Sequence, residues 1–259
     1  MPNWVTNRLN IHGPADQVAI FFDKVKCNER EFDFECITPM PESLKIVSGS
    51  TTSDAQKLLR GDDVENLMQR YPDEGDAPDP SVFYGYEKHP ETMPELRVYA
   101  EIIRSNEEKY GMLDWYDWAY FRWGTKWNAC NSWRTGNKIG FDTAWSTPDG
   151  IIEALPSFLA SINCDQISIE WAWAEEQGFF GGYYYIEPCD DGYLINQDYF
   201  EDNDDAYDLC ETLLGYSTRS VDNEGDDWED EDFKESKPHL MRRSYELRPA
   251  NDQPQFAAI

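Results

Sequence analysis

The sequence predicts an α+β protein in which helices cover one face of an antiparallel sheet. Three observations carry that expectation. Short segments alternate apolar and polar residues with the period of two that half-buried strands need, and other segments repeat their apolar residues at three and four, as amphipathic helices do. The order of the two kinds places a helix between successive strands. Apolar residues make up 40% of the 259-residue chain and aromatics 15%, which suffices for one good core, or one core and a smaller lobe.

Residues 4–11 read as a strand with Val5, Leu9 and Ile11 on one parity. His12-Gly13-Pro14 then turns the chain into a helix, since proline suits a first helical position, and Val18, Phe21, Phe22 and Val25 form its apolar stripe. Residues 31–37 set Phe32, Phe34 and Cys36 among acids, the alternation of a half-buried strand, and Thr38-Pro39-Met40-Pro41 ends it. A helical stretch over about 53–71 is interrupted near Gly61. The Pro-, Gly- and Asp-rich segment up to Pro94 is expected to project as a loop. Residues 94–110 form a helix with Leu96, Tyr99, Ala100 and Ile103 on one side and Gly111 as its stop.

Residues 113–133 are dense in tryptophan: Trp115, Trp118, Trp123, Trp127 and Trp133. A strand over 138–145 follows, then a helix from Thr147-Pro148 with Ile151, Leu155, Phe158, Leu159 and Ile162 inward and a kink expected at Pro156. Ile167, Ile169, Trp171 and Trp173 alternate with Ser168, Glu170 and Ala172, a strong strand signal. Residues 182–187 and 193–197, joined through Asp190-Asp191-Gly192, form a hairpin extending the same sheet. A short helix over about 204–214 closes the globule, and beyond Gly215 periodicity is lost. Laid end to end, the outer pieces give strand, helix, strand, then strand, helix, strand: the split βαβ order of a ferredoxin-like layer. Its second strand comes either from 31–37 or from the stretch near 128–133. The expected division is a ferredoxin-like α+β domain over 1–217, with a helical insertion at about 38–111, and an acidic, flexible tail over 218–259.

Charge is the other dominant property. Asp and Glu number 51 against 22 Lys and Arg, a formal net charge of −29 at pH 7. Such an excess repels itself while keeping a protein soluble and steering cationic partners toward it. The partner this implies is the basic surface of a host DNA- or RNA-binding protein or nuclease complex. Direct nucleic-acid binding is disfavoured, because phosphates demand Lys and Arg. No apolar run approaches the roughly 20 residues of a membrane helix, and anionic lipid would repel the chain, so no membrane partner is expected. The six cysteines are scattered without a C-x-x-C pair, and residues 1–10 lack an apolar signal core. Reduced thiols in a bacterial cytoplasm follow as the expectation.

The start Met1-Pro2-Asn3-Trp4-Val5-Thr6-Asn7, the turn Pro39-Met40-Pro41-Glu42, the block Trp123-Gly124-Thr125-Lys126-Trp127-Asn128-Ala129 and Thr143-Ala144-Trp145-Ser146-Thr147-Pro148 together resemble the YubB-like family, also called Api-like. That family is carried by phages and conjugative plasmids and is described as having a ferredoxin-like domain. The resemblance spans residues 1–187. It implies a fold and a mobile-element setting rather than catalytic residues, and the acidity after Glu187 is not part of it.

The tryptophan block has two readings. One is an aromatic platform for stacking bases, worth ~1–3 kcal/mol per base; the other is core packing with indole N–H groups bonded internally. Asp114 and Asp117 among the rings favour packing, since a nucleic-acid groove needs basic residues there. Lys126 is placed to lie on an aromatic face of Trp123 or Trp127 in a structural role. His12, His89 and His239 lack the spacing of a metal pair, and there is no H-x-x-x-H, G-x-S-x-G, Walker or Rossmann pattern. No cofactor, metal or catalytic residue is expected. Cys130 has no neighbouring base or cation to make it a nucleophile and reads as buried and inert.

Two acidic clusters are the candidate partner-binding residues. In the first, Asp204 and Asp208 share a helical face, as do Asp208 and Glu211, with Asp205 beside them; acids in a first turn also favour the helix macrodipole. The second runs from Asp222 through Asp226, Asp227, Glu229, Asp230, Glu231 and Asp232, with Trp228 and Phe233 as aromatic anchors for a basic groove. A calcium loop counted from Asp222 would need Gly sixth and Glu twelfth, where Asp227 and Phe233 stand. A solvated tail is the bland reading of this run. The resulting expectation is a DNA mimic that inhibits a host nucleic-acid-handling or defence protein. A metal-dependent hydrolase using clustered carboxylates and a plain scaffold whose acidity serves solubility are the competing readings.

Overall fold

The computed structural model describes residues 3–27, 29–201 and 204–215, together with the backbone of 243–245. In chain order the elements are β1 (Trp4–His12), α1 (Ala15–Lys24), α2 (Phe34–Ile37), α3 (Ser50–Arg60), α4 (Val64–Arg70), α5 (Met93–Tyr110), α6 (Trp115–Trp118), β2 (Cys130–Thr135), β3 (Lys138–Ala144), α7 (Asp149–Ser161), β4 (Ser168–Glu175), β5 (Phe180–Cys189), β6 (Gly192–Glu201), α8 (Asp204–Leu214) and β7 (Arg243–Tyr245). Short 3₁₀ turns lie at Glu42–Leu44 and Pro80–Phe83, and α6 continues into a π-helical turn over Ala119–Trp123. This is a mixed α+β fold. Among the described residues no helix is long and apolar enough to cross a membrane.

The chain divides into two compact units, one of Met1–Ile37 with Trp127–Ile259 and one of Thr38–Lys126. The first holds a single antiparallel sheet in the order β2-β3-β1-β4-β5-β6-β7. Register sets Val5, Asn7 and Leu9 beside Thr143, Phe141 and Ile139 of β3 and beside Glu175, Trp173 and Trp171 of β4. These side chains share one face. Phe32 stacks on Phe141 and meets Trp171 edge-on, at centroid distances of 5.0 and 6.1 Å. Tyr184 of the same face donates to Asp149 Oδ1 at the start of α7, and Arg134 of β2 lies 3.6 Å from the Phe22 ring of α1. Helices α1 and α7 therefore cover this face, their buried Phe21, Phe22, Leu155 and Leu159 completing the core.

One polar side chain belongs to that core. Asn7, fully buried, donates to Val5 O (2.9 Å) and Thr143 Oγ1 (3.1 Å) while its Oδ1 accepts the Trp171 indole N–H (3.0 Å). The amide thus ties three strands together and leaves no buried polar atom of its own unmet.

The expected strand over 31–37 is not one. Phe32 and Phe34 are both buried, but so is Asp33 between them, and backbone donors are captured by side chains: Glu35 N by Asp33 Oδ1 and Phe34 N by Asn128 Oδ1, each at 2.9 Å. The segment turns into α2, and β2 takes the place next to β3. Pro156 sits inside a continuous α7.

In the second unit, α3 and α4 are separated at Gly61, whose φ of 75° suits glycine as a helix stop. The expected projecting loop between α4 and α5 folds back instead. Phe83 is fully buried, edge-on to Tyr99 at 5.6 Å, and Gly85 N and Tyr86 N both donate to Lys45 O. An apolar ring inside a Pro/Asp-rich stretch is worth burying, and it draws the loop down with it. The unit continues past α5 through the tryptophan block to Lys126.

Candidate functional site

The opposite face of the sheet is built differently. β4 alternates bulky Trp171 and Trp173 toward the core with Ala172 and Ala174 on the outer side, and Ala174 pairs with Gly181 of β5. Small residues leave a shallow bed. Helix α8 lies in it, burying Ala206, Leu209 and Cys210, with the Cys210 thiol directed at Glu175 O (3.5 Å) and pushed up to about 11 by burial and then by Glu175. A thiol so raised stays protonated and unreactive.

The outer side of α8 carries the first acidic cluster. Asp204, Asp205 and Asp208 are exposed and Glu211 is half-buried, so the helix brings the four together as the sequence spacing implies. Beside the helix rise the outward rings of β5 and β6. Tyr183 stacks on Tyr185 at 6.0 Å and meets Phe200 edge-on at 6.3 Å. Tyr183, Phe200, Asp205, Asp208, Leu209 and Thr212 line an open groove of ≈ 320 Å³. Burial, and next the charge of Glu170, push the Tyr183 phenol up, so it remains a neutral hydroxyl. The groove thus sets carboxylates beside aromatic rings, the chemistry that holds a guanidinium or ammonium group.

Sequence reasoning weighed the acidic clusters and missed the interval around them. Between Lys138 and Arg219 there is no lysine, arginine or histidine, while seventeen Asp and Glu occur. β4, β5, β6 and α8 all lie inside it. The signal is an absence, a gap in one residue type rather than a run of another.

The second cluster, Asp226, Asp227, Trp228, Glu229, Asp230, Glu231, Asp232 and Phe233, lies outside the described residues, as does His239. Elsewhere, carboxylates within the tryptophan block serve the backbone. Asp114, buried, accepts Tyr116 N (2.9 Å) and the Thr52 hydroxyl (2.7 Å), and Asp117 accepts Leu113 N (2.9 Å). Trp118 and Trp123 are buried; the Trp123 indole donates to Thr38 O (2.9 Å), whereas the buried Trp118 N–H has no partner. The rings left exposed on this segment are Tyr116, Tyr120, Phe121 and Trp133, and Lys126 lies over Tyr116 (5.7 Å) rather than over a tryptophan. Trp133 lies on the sheet, across Gly140 and beneath the Arg8 guanidinium at 5.1 Å.

The remaining chemical candidates have ordinary environments. Burial pushes the Cys130 thiol up, with Arg30 opposing and Asp142 adding. His89 Nδ1 pairs with the Thr51 hydroxyl at 3.0 Å. Among the described residues, no three His, Cys, Asp or Glu side chains converge as a metal ion would require.

The chain is similar to no protein-family model, no curated protein and no solved structure.

Proposed function

We propose that this chain is an acidic binding protein that occupies the nucleic-acid channel of a host DNA- or RNA-binding protein or nuclease complex, presenting carboxylates where phosphates would sit. The observation that carries the reading is the docking of α8. Its carboxylates stand on a helix anchored to a sheet, inside an interval that contains no cation from Lys138 to Arg219. Four charges over Asp204 to Glu211 are spread along an axial rise of about 10 Å, or roughly 3.5 Å per charge, close to the 3.4 Å per phosphate of one DNA strand. Long-range attraction speeds encounter and aromatic contacts slow release. The sheet order supports a finer fold reading too. The order β2-β3-β1-β4, with α1 and α7 on one face, favours a ferredoxin-like layer carrying β5, β6 and α8 as additions. With the sequence resemblance, this favours a phage- or plasmid-encoded inhibitor acting in the cytoplasm of a bacterial host.

The test is kinetic. Changing Asp204, Asp205 and Asp208 to Asn and Glu211 to Gln, and separately neutralising Asp226, Asp227, Glu229, Asp230, Glu231 and Asp232, should slow association with the basic partner and flatten its dependence on salt without unfolding the core. Unchanged association at every ionic strength in both variants would remove the acidic surface from the contact.

A further inference from the structure

The outer edge of β6 extends this reading and rests on it. β7 pairs antiparallel with β6, setting Arg243, Ser244 and Tyr245 opposite Gln197, Asn196 and Ile195. A strand edge is a row of unpaired N–H and C=O groups that templates an added strand. Without β7, the described sheet ends in two such edges, those of β2 and β6. Beside β2 stand Arg134 and Lys138; β6 carries Asp198 and Glu201 and begins next to Asp190 and Asp191. The added strand joins the acidic edge, and its surroundings in sequence carry a net positive charge: Lys234, Lys237, Arg242, Arg243 and Arg248 against Glu235 and Glu246, after the acidic run that ends at Asp232. Residues 216–242, at up to about 3.3 Å each, are long enough to reach either edge, so chain length alone does not select the β6 edge.

We propose that the β6 edge, together with α8, is a docking surface for an extended basic segment, and that its occupant in the free protein is this chain's own segment around β7. A basic partner must displace that segment, and its apparent affinity falls by the fraction of time the surface is open.

The experiment uses the full chain and an oligoarginine peptide as probe. One variant carries Arg242→Gln and Arg243→Gln; a control with the same loss of charge carries Arg60→Gln and Lys109→Gln, both exposed and in the other unit. Amide exchange at Ile195, Asn196 and Gln197 and peptide affinity at low salt are read together. Faster exchange and peptide binding about tenfold tighter in the first variant, for a surface closed nine-tenths of the time, with neither change in the control, is the expected result. Equal exchange and equal affinity in the two variants would overturn the internal occupant while leaving the acidic surface standing. Failure of the peptide to bind any form of the protein at low salt would overturn both.

Discussion

Leu209 of α8 rests on Gly181 of β5, and the missing side chain at 181 is what admits the helix. A Cβ there would stand 3.2 Å from Leu209 Cδ2 and 2.9 Å from Trp173 O. The second contact is with backbone, which has little room to give. Gly181→Ala is therefore expected to cost about 1–3 kcal/mol and to loosen α8 first, read as faster amide exchange at Leu209 and Cys210. Undiminished stability in chemical denaturation would show that the helix is not seated as described.

Asn7 supports a prediction about the core. In Asn7→Leu the Trp171 indole N–H loses its acceptor while fully buried, an orphan expected to cost about 1–3 kcal/mol. Adding Trp171→Phe removes the orphan. The double variant should recover part of the loss, so a double-mutant cycle is expected to show coupling rather than additivity.

Glu175 supports a prediction about pH. Its side chain is buried; Oε2 accepts Gln177 N at 2.9 Å and holds the β4–β5 turn, whereas Oε1 lacks a partner. Burial pushes its carboxyl above the usual carboxylate range, against the pull of the turn's N–H groups. The folded state then binds the proton more tightly than the unfolded one, so its contribution to stability is greatest below the unfolded value near 4.3 and is lost as pH rises through the raised folded value. Glu175→Gln keeps an acceptor for Gln177 and removes the charge. It is expected to raise the thermal midpoint at pH 7 and to lose that advantage toward pH 4; a variant less stable at pH 7 would contradict the assignment.

The sequence revealed the parts of the fold whose side chains obey a simple period. β1 and β4 fall where Val5, Leu9 and Ile11, then Trp171 and Trp173, place them, and α8 falls over the expected 204–214. What escaped depends on contacts remote in sequence. Phe32 and Phe34 alternate with acids in the sequence, yet Asn128 and a buried Asp33 divert the backbone into a helical turn. Asn7 shares the parity of Val5 and Leu9, but a polar residue there is a core residue only because Trp171 and Thr143 arrive beside it. Phe83 looked like part of a projecting loop until Tyr99 provided a place for its ring. The acidic helix was legible; its bed of Ala172, Ala174 and Gly181 and the flanking Tyr183–Phe200 pair were not, because they are assembled by strand register.

The central claim, that the surplus carboxylates meet a cationic nucleic-acid site on another macromolecule, is tested most directly by competition. The protein is immobilised, loaded with its partner from bacterial lysate, and challenged with duplex DNA across a salt gradient, beside the Asp204→Asn, Asp205→Asn, Asp208→Asn, Glu211→Gln variant. The expected result is a partner released by duplex DNA and by modest salt, and retained poorly by the variant. A partner that duplex DNA cannot displace, held equally by both proteins, would contradict the account.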